Sequence, residues 1–172
     1  VIENFSEISD KYTAVVCDLW GCLHNGLKSF PEALKALEYF KASNGKVVLV
    51  TNAPRPIGNV EYQIASLGIK DTHYDMLLTS GELTSIYINK ICENKLRIFH
   101  IGGKRHHSIY KDMIHEQKVS IEIENIAYAD LIVCTEPFDP LRDQLGDYES
   151  TLKVGIDKDL TLLCANPDLV VD

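Results

Sequence analysis

The chain has 172 residues, a formal net charge of −8 at neutral pH, 45% hydrophobic and 24% charged residues, which excludes disordered and fibrous classes and allows one large domain or two small ones. No Lys/Arg stripe is present, so nucleic acid and anionic membrane are excluded as main partners. No apolar run approaches the roughly 20 residues of a membrane span, and the N-terminus lacks a signal-peptide pattern; a cytoplasmic location is expected. The five cysteines, Cys17, Cys22, Cys92, Cys134 and Cys164, lack CxxC spacing and read as buried, reduced thiols.

Along the chain, short apolar strands alternate with amphipathic helices. Residues 12–19 (YTAVVCDL) predict a strand. Residues 31–45 (PEALKALEYFKASNG) carry apolar positions at Leu34, Leu37 and Phe40 between an opening Pro and a closing Gly, the punctuation of a helix. Strand 46–52, helix 60–69 and strand 75–80 follow. Strands apolar on both faces and separated by helices imply a parallel, doubly wound α/β sheet. A second alternation has helix 81–95, strand 96–103, helix 106–117, strand 129–136, helix 145–157 and strand 160–168. A boundary is expected near residues 80–82, and a single six-stranded sheet is the competing architecture.

In open α/β sheets, ligands sit beyond the carboxyl ends of the strands. The first strand ends in Asp18 and runs into a loop with Gly21 and Gly26; the second ends in Thr51 and Asn52 before APRP. A lone Asp at such a place is often a turn former or cap. With a glycine-bearing turn and a neighbouring hydroxyl and amide, it reads better as a phosphate site. The carboxylate attacks phosphorus, loop amides form an anion-binding concavity, and Thr51 and Asn52 donate to phosphoryl oxygens.

The stretch DLWGCLHNG (18–26), then VLVTNAPRP (48–56), ADLIVCTEPFD (129–139) and LLCANPDLVV (162–171) resemble the haloacid dehalogenase (HAD) superfamily, in the layout of its class IIA, NagD-like branch. The resemblance implies a Rossmann-like HAD core over residues 1–81, a second α/β cap domain over 82–172, and a Mg2+-dependent phosphatase of a small phosphorylated metabolite. On this resemblance Asp18 is the nucleophile. Gly21, Thr51, Asn52 and Arg55 bind substrate, and magnesium takes the Asp18 carboxylate and the Trp20 backbone carbonyl. The cap closes over the site, sets specificity, and in class IIA relatives commonly makes a homodimer.

Two departures stand out. The family's second motif I Asp is replaced by Trp20, whose indole neither exchanges protons near neutral pH nor accepts a hydrogen bond. General acid–base help is typically worth about 100- to 10,000-fold, so slow turnover, a good leaving group or no turnover is expected; a WGxLHxG pattern is similar to one class IIA subgroup. His24, or Asn25 beside it, is a candidate stand-in acid, the alternative being a turn cap. The motif III lysine and motif IV acids are not found, since Lys153, Asp157 and Asp159 precede the NPD stretch and read as solvated charges; the chain is expected to be a fragment of a longer protein.

Other groups have blander readings beside the sharp ones. HIGGKRHHS (100–108) places Lys104, Arg105, His106 and His107 after a strand, which suits an anion or a solvated helix start; it lacks the third glycine of a dinucleotide turn. Glu136, Asp139 and Asp143 could hold a cation, though a proline-rich turn accounts for them. Asn166 and Asp168 are expected to hold a loop. The alternatives to a phosphatase are a catalytically weak HAD-fold phosphoester-binding or regulatory protein, suggested by Trp20, and an unrelated Rossmann-type nucleotide binder.

Overall fold

The computed structural model describes residues 4–122 and 125–168; of the NPD stretch, residues 169–171 lie outside the described residues. The chain divides into two compact units. The first takes the chain up to Thr51 and Ile57–Thr79, and the second takes Asn52–Pro56 and the chain from Ser80 onward.

In the first unit a four-residue helix, α1 (Ser6–Ser9), precedes β1 (Ala14–Asp18), α2 (Pro31–Ala42), β2 (Lys46–Thr51), α3 (Ile57–Ser66) and β3 (Met76–Thr79). The strands form one parallel sheet in the order β1-β2-β3. Val47 and Leu49 of β2 are fully buried, and Leu37 and Phe40 of α2 and Val60 and Ile64 of α3 are buried with them. β1 differs from expectation. It lies at an edge of this sheet and Val16 is 66% exposed, so its apolar run is not covered on both faces.

The second unit holds α4 (Ser80–Ile91), β4 (Leu96–Ile101), α5 (Lys111–His115), β5 (Val119–Glu122), β6 (Leu131–Cys134), α6 (Glu149–Asp157) and β7 (Leu162–Cys164). Its parallel sheet runs β5-β4-β6-β7. Side-chain alternation splits its core in two. Ile98, Leu131 and Val133 pack with Ile88, Ile109, Tyr110 and Met113, while Phe99, Ile101 and Ile132 pack with Ile126, Ala129 and the α6 side. Helical segments therefore cover both faces of the sheet. The architecture is α/β with two separate parallel sheets, which sets aside the single six-stranded alternative.

Three differences from the sequence reading have physical causes. The 106–117 helix is only partly α-helical: residues 104–110 wind as 3₁₀ and the α-helix is Lys111–His115. Strand β5 gives no clear sequence signal because VSIE is short and mixed, and among the described residues it pairs with β4 alone. The cysteines are less buried than expected; Cys22 and Cys164 are exposed and the other three half-buried, all as free thiols. Burial, then neighbouring Cys22 and Asp18, push the Cys17 thiol up to about 11.

Both sheets are pinned by the same device. Asp75, just before β3, accepts the Val47 amide at 2.8 Å and donates its own N–H to the Val47 carbonyl at 2.8 Å. Asp130, just before β6, does the same with Arg97, whose amide lies 2.9 Å from the carboxylate, and the Arg97 guanidinium adds a two-point ion pair. A parallel pair has no hairpin to set its register, so these carboxylates help fix where each strand starts and thus where it stops.

Among the described residues no helix is long and apolar enough to cross a membrane. Close packing in the second unit yields a test. A Cβ at Gly81 would lie 2.2 Å from the Arg55 backbone nitrogen, whereas one at Gly58 meets nothing within 4 Å. Gly81→Ala is expected to cost about 1–3 kcal/mol in chemical denaturation, and Gly58→Ala to be neutral or to stabilise by up to about 1 kcal/mol.

Candidate functional site

β1 ends in Asp18 and the chain turns at once. Leu19 is buried and its carbonyl accepts from Leu23 at 2.8 Å and His24 at 3.2 Å, so the loop folds back under the strand end. Gly21 has φ +77°, a region that L side chains rarely adopt, and donates its N–H to the His24 carbonyl at 2.8 Å. The Asp18 carboxylate is left exposed; Oδ1 accepts the Leu19 amide at 2.7 Å, and no ion pair to it occurs among the described residues.

Trp20 and His24 form an isolated bridge. Its two hydrogen bonds run from His24 N–H to the Leu19 carbonyl and from Gly21 N–H to the His24 carbonyl, leaving the Trp20 carbonyl outside the pair. The indole is 56% exposed, and its Nε1 lies 3.7 Å from where a Gly26 Cβ would be. His24 is buried, and its Nδ1 accepts the Gly26 amide at 3.0 Å. A neutral ring therefore carries its proton on Nε2, and the turn-capping half of its expected role is what the geometry displays.

The parallel register sets Asp18 beside Val50, one residue before Thr51, and Thr51 beside Thr79 at the end of β3. Thr51 is half-buried and Thr79 fully buried. Thr79 escaped the sequence reading, although LLTS repeats the pattern of an apolar strand closing on a hydroxyl. The first unit thus gathers a carboxylate and two hydroxyls at the carboxyl ends of three adjacent parallel strands.

Asn52 and Arg55, read in sequence together with Thr51, belong to the second unit. The Asn52 amide donates to Asn166 Oδ1 at 3.2 Å and also to Asp168 Oδ2. Ser80 Oγ donates to the Asn52 carbonyl at 3.2 Å and to the Ala165 carbonyl. In this arrangement the Asn52 amide serves a clasp with the NPD stretch. Arg55 is half-buried and held below its ordinary pKa, first by burial and then by the Arg105 charge.

The end of β4 and the residues that follow β4 and β6 form a buried polar network. His100 Nδ1 lies 2.8 Å from the Tyr110 hydroxyl and Nε2 3.3 Å from Thr135 Oγ1, which is 2.9 Å from His106 Nδ1. Glu136, almost fully buried, accepts the Gly103 amide at 3.1 Å and pairs with Arg105. Sequence reading had singled out these segments separately and could not join them. As for a cation at Glu136, Asp139 and Asp143, the turn uses the latter two: Asp139 accepts the Leu141 amide at 3.1 Å, and Asp143 accepts the Asp139 amide at 2.9 Å and the Tyr148 hydroxyl.

The model of the haloacid dehalogenase-like hydrolase family matches residues 15–114, and the chain belongs to that family. Among solved structures, it is similar to a haloacid dehalogenase-like hydrolase from Brucella suis 1330, with 36% identity over 100% of this chain and 62% of that one at a TM-score of 0.83. It is also similar to a 4-nitrophenylphosphatase from Thermotoga maritima, at 21% identity, 94% and 57% coverage and TM-score 0.62. A glycerol phosphate phosphatase from Mycobacterium tuberculosis in complex with magnesium shares 16% identity, 94% and 46% coverage and TM-score 0.61. These last two likenesses speak to the fold. The chain spans 62% or less of each of these relatives. No curated protein sequence matches.

Burial, then the nearby His107 and His106, pull His100 down to about 4 from 6.5. Between those values the unfolded chain binds a proton that the folded chain does not, so stability falls as pH falls from about 6.5 to 4. The expected loss is up to about 3 kcal/mol, read by urea denaturation across that range; His100→Gln should flatten the profile.

Proposed function

We propose that this chain carries the nucleophile-bearing part of a Mg2+-dependent phosphatase acting on a small phosphorylated metabolite, its first unit serving as HAD core and its second as cap. The observation that carries the reading is the exposed Asp18 carboxylate at the end of a parallel strand, beside the Thr51 and Thr79 strand ends, in a chain of the HAD-like hydrolase family.

A carboxylate oxygen of Asp18 attacks phosphorus in line. The phosphorus–oxygen ester bond breaks, and the alcohol leaves with a proton drawn from its surroundings. Water then cleaves the acyl phosphate, releasing inorganic phosphate and restoring Asp18. Thr51 supplies a hydroxyl for the phosphoryl oxygens, while the Gly21 amide, bonded to the His24 carbonyl, shapes the turn that presents Asp18.

The donor chemistry fits magnesium. Asp18 and the Trp20 carbonyl are hard oxygens, and Mg2+ typically takes one or two carboxylates, substrate phosphate and water. When bound, the ion would offset charge on the phosphoryl group. The complex of the mycobacterial relative with magnesium supports that choice. A cytoplasmic location and a homodimer formed through the second unit complete the reading.

Trp20 favours a second reading, a weakly catalytic phosphoester-binding or regulatory protein, because the indole supplies no general acid. Turnover of para-nitrophenyl phosphate with magnesium tests the first: Asp18→Asn should fall to the buffer rate, and an equal rate in the two proteins would remove Asp18 as nucleophile. Trp20→Asp separates the readings. On the phosphatase reading it should raise turnover of a poor leaving group such as an alkyl phosphate by about 100-fold or more, and an inactive Trp20→Asp protein favours the binding reading.

A further inference from the structure

The sheet of the second unit has a topological switch point of its own. From β4 the chain moves outward to β5, then returns past β4 to β6 and continues to β7 on the other side. The carboxyl ends of β4 and β6 therefore diverge into loops that leave opposite ways, the place where open α/β sheets bind ligands. A pocket of about 500 Å³ opens there, within the range of small-molecule sites, about 300–1,000 Å³.

The site is built rather than incidental. Gly102 has φ +147°, and a Cβ there would lie 2.1 Å from Thr135 Oγ1 and 2.9 Å from His100 Nε2; the two loops meet so closely that only glycine fits. Glu136, 4% exposed, accepts the Gly103 amide and pairs with Arg105, and its Oε1 lies 3.5 Å from His106 Nδ1. The carboxylate's acceptors thus face inward on protein donors.

The charge balance of the pocket follows from those bonds. Its second acid, Asp139, accepts a turn amide and faces Arg142. Arg105 engages Glu136 through one guanidinium nitrogen while its side chain stays 66% exposed, leaving further N–H donors toward the pocket. Lys104 also lines the pocket, and Arg55 is close enough to feel the Arg105 charge. The apolar part of the lining is Phe138, Pro140 and Leu141, with the Phe138 ring stacked on Tyr148 at 5.8 Å. Phe138 is half exposed.

We propose that this crevice binds a small organic anion, with a phosphate or carboxylate group on Arg105 and Lys104 and a flat apolar body against Phe138, Pro140 and Leu141. Glu136 acts as a positioning residue, holding Arg105 over the Gly103 turn. The proposal stands on the second unit alone and does not rest on the role of Asp18.

The test is an NMR titration of the full, ¹⁵N-labelled chain with phenylphosphonate, which resists hydrolysis, with benzoate, and with inorganic phosphate. Saturating shifts are expected at the amides of Gly103, Lys104, Glu136 and Phe138 with the aromatic anions. Inorganic phosphate should bind about tenfold more weakly for want of the apolar contact. Arg105→Gln should weaken phenylphosphonate about tenfold, and Phe138→Ala should weaken the aromatic anions while leaving inorganic phosphate unchanged. Because Arg105 and Phe138 are surface side chains, the amide fingerprint should otherwise be retained. Binding of one aromatic anion without the other supports the site and names its headgroup. No shifts at those amides, or equal affinity in Arg105→Gln, overturns it. Shifts at the amides of residues 19–21 report the first unit separately, so failure at either place is distinguishable.

Discussion

The functional reading depends on how a parallel strand ends. In the first unit the backbone of β1 runs straight to Asp18 and then folds back, because Leu19 is pulled into the core and its carbonyl takes two amides from the returning loop. The carboxylate is left outside while the peptide that follows goes inside. Parallel pairing carries the ends of β2 and β3 to the same edge of the sheet, so that Thr51 and Thr79 end up next to one another in register. Reactive groups gather at one edge because all three strands point the same way.

The second unit repeats this logic with different side chains. Asp130 pins the start of β6 against Arg97 as Asp75 pins β3 against Val47, and the strands stop at a Gly–Gly turn and a Thr–Glu pair. There the polar groups are buried and bonded to one another from Tyr110 through His100, Thr135 and His106. A satisfied buried network of this kind rigidifies its surroundings. His106 carries it on to the buried Glu136, 3.5 Å away, which in turn pairs with the exposed Arg105.

Much of this was legible in the sequence, and the physical reasons differ by element. The strands ending in Asp18 and Thr51 were readable because continuous apolar runs flanked by amphipathic helices mark a parallel sheet. Strand β5 was not, since an edge strand of alternating residues carries no such signature. The 104–110 segment has only Ile109 and Tyr110 as apolar residues, adjacent in sequence, and winds as 3₁₀, which so short a pattern does not separate from an α-helix. Asn52 adjoins Thr51 in sequence, but its amide turns to Asn166 and Asp168, more than a hundred positions away. The Glu136–Arg105 pair was hidden for the same reason: local patterning announces an element, while pairing across a sheet depends on topology.

The central claim is that the Asp18 carboxylate becomes covalently attached to phosphorus. Acid quenching of the full chain during turnover of para-nitrophenyl phosphate, followed by borohydride reduction and peptide mass mapping, tests this directly. The account predicts the reduced acyl-phosphate product at Asp18 and at no other carboxylate. Steady turnover with Asp18 unmodified, or the product at a different acid, would contradict it.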